Sequence, residues 1–161
     1  MSKITPSLWF DGQAEEAASL YTSILPDSRI DKVVRSPADN PSTSAGEVLT
    51  VEFTLAGQPF VGLNGGPDFK FNEAVSFVID CEDQTEVDRY TGALIAGGGA
   101  QGDCGWIKDK FGLSWQVVPR QLNEMLESSD RAAAARAMEA MLKMKKLDVA
   151  ELREAYERVP A

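Results

Sequence analysis

The segment Ser7-Leu8-Trp9-Phe10-Asp11 has a counterpart 69 residues further on, Ser76-Phe77-Val78-Ile79-Asp80, and the same offset carries Tyr21 to Tyr90. The identities are few, and the order of elements around them is the stronger signal. Each half reads strand, helix, then strands closing in a hairpin, so the chain is expected to hold one α/β module twice. In the first half, residues 4–10 alternate as a strand. Ala14, Ala17, Ala18, Tyr21 and Leu25 then recur at i, i+3, i+4, i+7 and i+11, which predicts a helix over 13–24. Asp11 or Gly12 is placed to cap it, and Pro26 ends it. Residues 30–34 form a second strand. Residues 36–46, rich in Pro, Ser and Asn, are expected to be a mobile loop.

Val48–Leu55 alternates most cleanly, with Leu49, Val51, Phe53 and Leu55 opposite Thr50, Glu52 and Thr54. Gly57-Gln58 turns it into a strand over 59–63. In the second half, residues 74–80 are a strand, and Asp83-Gln84-Thr85-Glu86 is a capping box for a helix bearing Val87, Tyr90 and Leu94 on one stripe. Gly97-Gly98-Gly99 stops that helix, and strands over 106–108 and 113–119 close a hairpin. The texture then turns helical over 121–126, 131–145 and 149–158, with Ser129 or Asp130 capping the second of these helices and Asp148 the third. The expected divisions are 1–66, 67–119 and a helical extension over 120–161.

Composition limits the chemistry. The 161 residues contain no histidine, which removes Ser–His and Cys–His catalysis and any His-ligated metal. A net charge of −9 argues against nucleic acid and anionic membrane as partners, since both need a basic surface. With 43% hydrophobic residues, no leader-like segment and no apolar run long enough to span a bilayer, a compact cytoplasmic protein is expected. Cys81 and Cys104 form no disulfide framework, and both are expected to be buried and inert.

The stretches ITPSLWFDGQAEEAASLYTSILPDSRI, VEFTLAGQPFVGLNGGPDFKFNEAVSFVID and CGWIKDKFGLSWQVVP resemble the PhnB-like, or 3-demethylubiquinone-9 3-methyltransferase-like, branch of the vicinal-oxygen-chelate superfamily. Glyoxalase I, the bleomycin-resistance proteins and extradiol dioxygenases belong to the same superfamily. The resemblance covers nearly the whole chain, including the tail with MLKMKKLD. It implies an α+β fold of two βαβββ modules that form a curved mixed sheet with helices outside, followed by a C-terminal helical tail. It also implies a homodimer. The superfamily's metal ligands fall, by this resemblance, near Ser7 or Trp9, near Leu63 or Asn64, at Ser76 and at Gln116. Gln116 matches best, closing the turn-and-strand motif that begins at Asp109; the other positions carry neither histidine nor carboxylate, so no metal or other cofactor is expected.

Strand alternation sends the apolar rows toward the helices and leaves Ser7, Trp9, Glu52, Asn64, Ser76 and Gln116 to line a concave pocket. Trp106 is a further candidate ligand contact, and Trp115 is assigned to the core. Two functions from different classes follow. The first is a glyoxalase/bleomycin-resistance-like protein that binds a small molecule in this pocket without a metal. The second is a PhnB-like enzyme, a lyase, isomerase or the methyltransferase of the family label, with Glu52 as a pocket base.

Overall fold

The computed structural model describes residues 2–159 and separates into two compact units, one ending at Phe71 and the other beginning at Asn72. The first unit runs β1 (Ser7–Phe10), α1 (Ala14–Ile24), β2 (Arg29–Arg35), β3 (Val48–Leu55) and β4 (Gln58–Asn64). Its sheet has the order β1-β4-β3-β2, with β1 parallel to β4 and the other pairs antiparallel. The stripe Ala14, Ala17, Ala18 and Tyr21 is buried as its spacing predicts. It lies close to β4 because both surfaces are small: a Cβ at Gly62 would come within 3.1 Å of the Ala14 Cβ. Phe53 stacks on Phe60 at 5.6 Å and tilts against Tyr21 at 6.4 Å, which fills the space between helix and sheet.

The start of α1 differs from expectation. Neither Asp11 nor Gly12 caps it, since Gln13 occupies the N-cap without a side-chain bond. The Ala14 N–H donates instead to Oδ1 of Asn64 on the neighbouring strand, at 2.9 Å. The Pro/Ser/Asn-rich loop expected to be mobile is tied by its own side chains. Asn40 Oδ1 accepts from the backbone N–H groups of Ser42 and Thr43, and its Nδ2 donates to the hydroxyls of Ser36 and Thr43. Ser42 Oγ also donates to the Asn64 carbonyl at 2.9 Å.

The second unit repeats the topology. It runs β5 (Ser76–Cys81), α2 (Gln84–Ala96), β6 (Ala100–Gln101), β7 (Trp106–Lys108) and β8 (Ser114–Pro119), in the sheet order β5-β8-β7-β6. Again the first and last strands are parallel and the others antiparallel. Asp83 accepts from Glu86 N as a capping box requires, and Val87, Tyr90 and Leu94 are buried on α2. The strand over 100–101 has no counterpart in the sequence pattern, because two residues are too few to show alternation.

Three tail helices complete this unit: α3 (Arg120–Leu126), α4 (Arg131–Met141) and α5 (Val149–Glu157). Asp130 and Asp148 cap the last two. Val118, Leu122, Met125, Ala137, Leu147 and Leu152 form their shared apolar cluster. Among the described residues no helix is long and apolar enough to cross a membrane.

Candidate functional site

Each sheet has one face against its helix and one open face, and the ladder register assigns every candidate to one of them. In the first unit, Leu8, Phe10, Val51, Phe53, Leu55 and Phe60 are buried on the helix side. On the open side, Ser7 pairs with Val61, Trp9 with Leu63, and Glu52 with both Val61 and Lys32. Ser7 and Glu52 are exposed, and Trp9 is half-buried. The Trp9 ring lies against Gly65, where a Cβ would approach to 2.3 Å, so only glycine admits the indole. Its N–H donates to the Gly66 carbonyl at 2.9 Å, and Phe69, 66% exposed, meets it edge-on at 4.9 Å. The two rings make an aromatic ledge.

Asn64 does not share this open face. It is buried on the helix side, with Oδ1 accepting from Ala14 and Nδ2 donating to the Val48 carbonyl at 2.9 Å. Its polarity serves the starts of both α1 and β3. Alternation alone does not show this, because a polar residue on a helix-facing row reads as a break in the pattern.

In the second unit two ladder rows cross the open face. One holds Ser76, Ser114 and Lys108; the other holds Val78, Gln116 and Trp106. The rows are joined by a hydrogen bond from Gln116 Nε2 to Ser76 Oγ, 2.9 Å long. Val78 is 59% exposed, while Trp106 and Gln116 are half-buried. Lys108 forms an ion pair with Glu73, and the Lys108 ammonium group, bonded to that carboxylate, holds its pKa below the ordinary value. At the β6–β7 end of this face lies a cavity of about 220 Å³, lined by Glu73, Gln101, Gly102, Trp106, Lys108 and Ser114. The structure therefore brings Ser76, Trp106 and Gln116 together. Sequence reasoning missed Lys108 and Glu73 as their neighbours. The period-2 register from Trp106 finds Lys108; Glu73, which precedes the strand, has no such signal.

The remaining candidates are inert or structural. Trp115 is buried on the helix side and donates its indole N–H to Asp109 Oδ2 at 2.9 Å. Cys81 is buried, and desolvation pushes its thiol up to about 12, far from a reactive thiolate. Cys104 departs from expectation in being half-buried, in a turn with φ 56°.

The donor set does not fit a resident transition metal. At the implied ligand positions stand hydroxyls, an indole, an aliphatic chain and two amides. The Asn64 amide is committed on both sides, and the Gln116 amide is bonded to Ser76. Among the described residues no three carboxylates or thiols gather as a metal site. A nucleoside methyl donor fits no better. The N–H groups of Gly97, Gly98 and Gly99 donate to Ala93, Ile95 and Leu94 carbonyls at the end of α2, so this glycine run closes a helix and does not open one.

The sequence model of the 3-demethylubiquinone-9 3-methyltransferase family matches residues 2–118. No curated protein matches. Among solved structures, the PhnB protein of Bacillus cereus is 35% identical at a TM-score of 0.65, spanning 73% of this chain and 99% of its own length. A protein from Pseudomonas aeruginosa is 20% identical at 0.59, spanning 74% of this chain and 98% of its own length. The fosfomycin resistance protein FosX of Listeria monocytogenes is 12% identical at 0.51, spanning 74% of this chain and 93% of its own length; these last two show the fold alone. With two βαβββ units and a match over most of its length, the chain belongs to the PhnB-like, 3-demethylubiquinone-9 3-methyltransferase family.

Proposed function

We propose that the protein binds a small, partly apolar molecule of no net charge on the open face of the second unit's sheet, without a resident metal. The Gln116–Ser76 hydrogen bond beside half-buried Trp106 is the observation that carries this reading. An amide–hydroxyl pair supplies both a donor and an acceptor, while Trp106 and Val78 supply an apolar surface. The charge nearest the cavity, Lys108, is already matched by Glu73, so the face favours a neutral partner. Glu52 stands exposed on the first unit's sheet with Lys32 opposite, where solvent surrounds the carboxylate. That setting supports binding over base catalysis.

Thermal-shift screening with zinc, nickel, manganese and a library of neutral metabolites tests the reading. The expected result is stabilisation by a neutral organic compound that persists in chelator and is lost in Gln116→Ala and Ser76→Ala. Stabilisation that survives both substitutions would place the ligand elsewhere. Loss in Glu52→Ala together with stoichiometric metal binding would favour an enzyme. The same reading includes a homodimer, supported by Met138 and Leu142, which are 49% and 58% exposed on or beside α4. Light scattering at micromolar concentration is expected to give twice the chain mass, and a monomer would count against it.

A further inference from the structure

The tail lies beyond the family match, which ends at residue 118, and the Bacillus relative uses 99% of its own length on 73% of this chain. The tail nevertheless holds the turn that carries one wall of the cavity. Residues 103–106 connect β6 to β7, with Trp106 N–H donating to the Asp103 carbonyl at 3.0 Å. The two central residues, Cys104 and Gly105, have φ of 56° and 83°, as in a type I′ turn. Cysteine is ill-suited to that conformation, so something outside the turn must help to hold it.

The irregular segment after α4 does so. Successive N–H groups of Cys104 and Gly105 donate to successive carbonyls of Met144 and Lys145, at 2.9 and 2.8 Å. Leu147, fully buried, fills the space that a side chain at 105 would need, since a Cβ there would lie 2.9 Å from Leu147 Cδ1. Gln84 grips the segment from α2, donating to the Leu147 carbonyl and accepting from Val149 N–H. Lys145 pairs with Asp103, and Lys146 with Asp88 at 2.8 Å.

We propose that this segment of the tail is a positioning strap: by fixing the left-handed turn at Cys104-Gly105, it sets where Trp106 and Gly102 stand in the cavity wall, and so tunes which molecules the face accepts. The proposal rests on Trp106 being a ligand wall, but its test requires no ligand and so fails or succeeds separately from the binding reading.

The test is NMR on the full chain, following the amides of Cys104 and Gly105 and the indole signals of Trp106 and Trp115. In the wild-type protein both amides should exchange at least about tenfold more slowly than in a free loop. In Leu147→Asp, which cannot keep a carboxylate in the apolar cluster, and in the milder Gln84→Ala, their exchange should accelerate. The Trp106 indole signal should shift with it, while Trp115, anchored by Asp109, stays in place and reports an intact module. Free exchange of the two amides in the wild-type protein would overturn the proposal. So would their release in Leu147→Asp with the Trp106 signal unmoved, or loss of the Trp115 signal in both variants.

Discussion

At the scale of single residues, buried polar groups in this protein hold backbone in place. Asp109, 5% exposed, accepts from Phe111 N and Leu113 N through Oδ1 and from Trp115 Nε1 through Oδ2. Asp109→Ala leaves those donors buried without an acceptor and should cost about 2–4 kcal/mol in chemical denaturation, with the Trp115 emission shifting to the red. Asn64→Ala removes the remote cap of α1 and the bond to Val48, with an expected loss of about 1–3 kcal/mol. Cys81 makes a prediction about pH. Its folded pKa is raised from 9.0 to about 12, chiefly by desolvation. The unfolded thiol therefore ionises first as pH rises. Stability is intact below pH 9 and declines between 9 and about 12. For this one group the decline is at most about 1.4 kcal/mol per pH unit, and Cys81→Ala should remove that share of the alkaline slope.

At the scale of elements, what was legible followed from repetition within the element itself. The α1 stripe, the Asp83–Glu86 capping box and the alternation of β3 are local patterns, and the structure keeps them. The end of α4 was not legible. Residues 142–145 favour a helix by propensity, yet α4 stops at Met141, and the carbonyls of Met144 and Lys145 accept from Cys104 and Gly105 instead of continuing a helix. The same holds for the loop over 36–46, whose composition reads as free chain until Asn40 and Ser42 find their partners. Hairpin chemistry gives a further prediction. Leu55 pairs with Gln58 across the two-residue turn Ala56-Gly57, with φ of 47° and 82°. Asparagine suits the first of these positions better than alanine, so Ala56→Asn should raise stability by about 0.5–1 kcal/mol in thermal or denaturant unfolding. The β2 edge is guarded rather than sticky: its ladder is broken by register shifts at Ile30/Lys32 and Val34/Arg35 and carries Arg29, Lys32 and Arg35.

At the scale of the whole molecule, the twofold module was readable from element order and family resemblance. The composition of the site was readable only in part. Ser76, Trp106 and Gln116 meet as neighbouring rows of one sheet because their strands alternate in register; Asn64 leaves the set because a helix start needed an acceptor. The missing histidine has a physical consequence across the molecule. With no side chain of ordinary pKa near 6.5, the melting temperature should stay nearly flat between about pH 6 and 8, as differential scanning fluorimetry can check. The central claim is that a neutral molecule is bound at the open face of the second sheet with no metal. The most direct measurement is an NMR titration of chelator-treated protein with the neutral metabolite that stabilises it in the thermal-shift screen. The account predicts shifts of the Gln116 side-chain amide and the Trp106 indole, with the Trp115 indole unmoved. Shifts that bypass Gln116 and Trp106, or that appear only after zinc, nickel or manganese is restored, would contradict it.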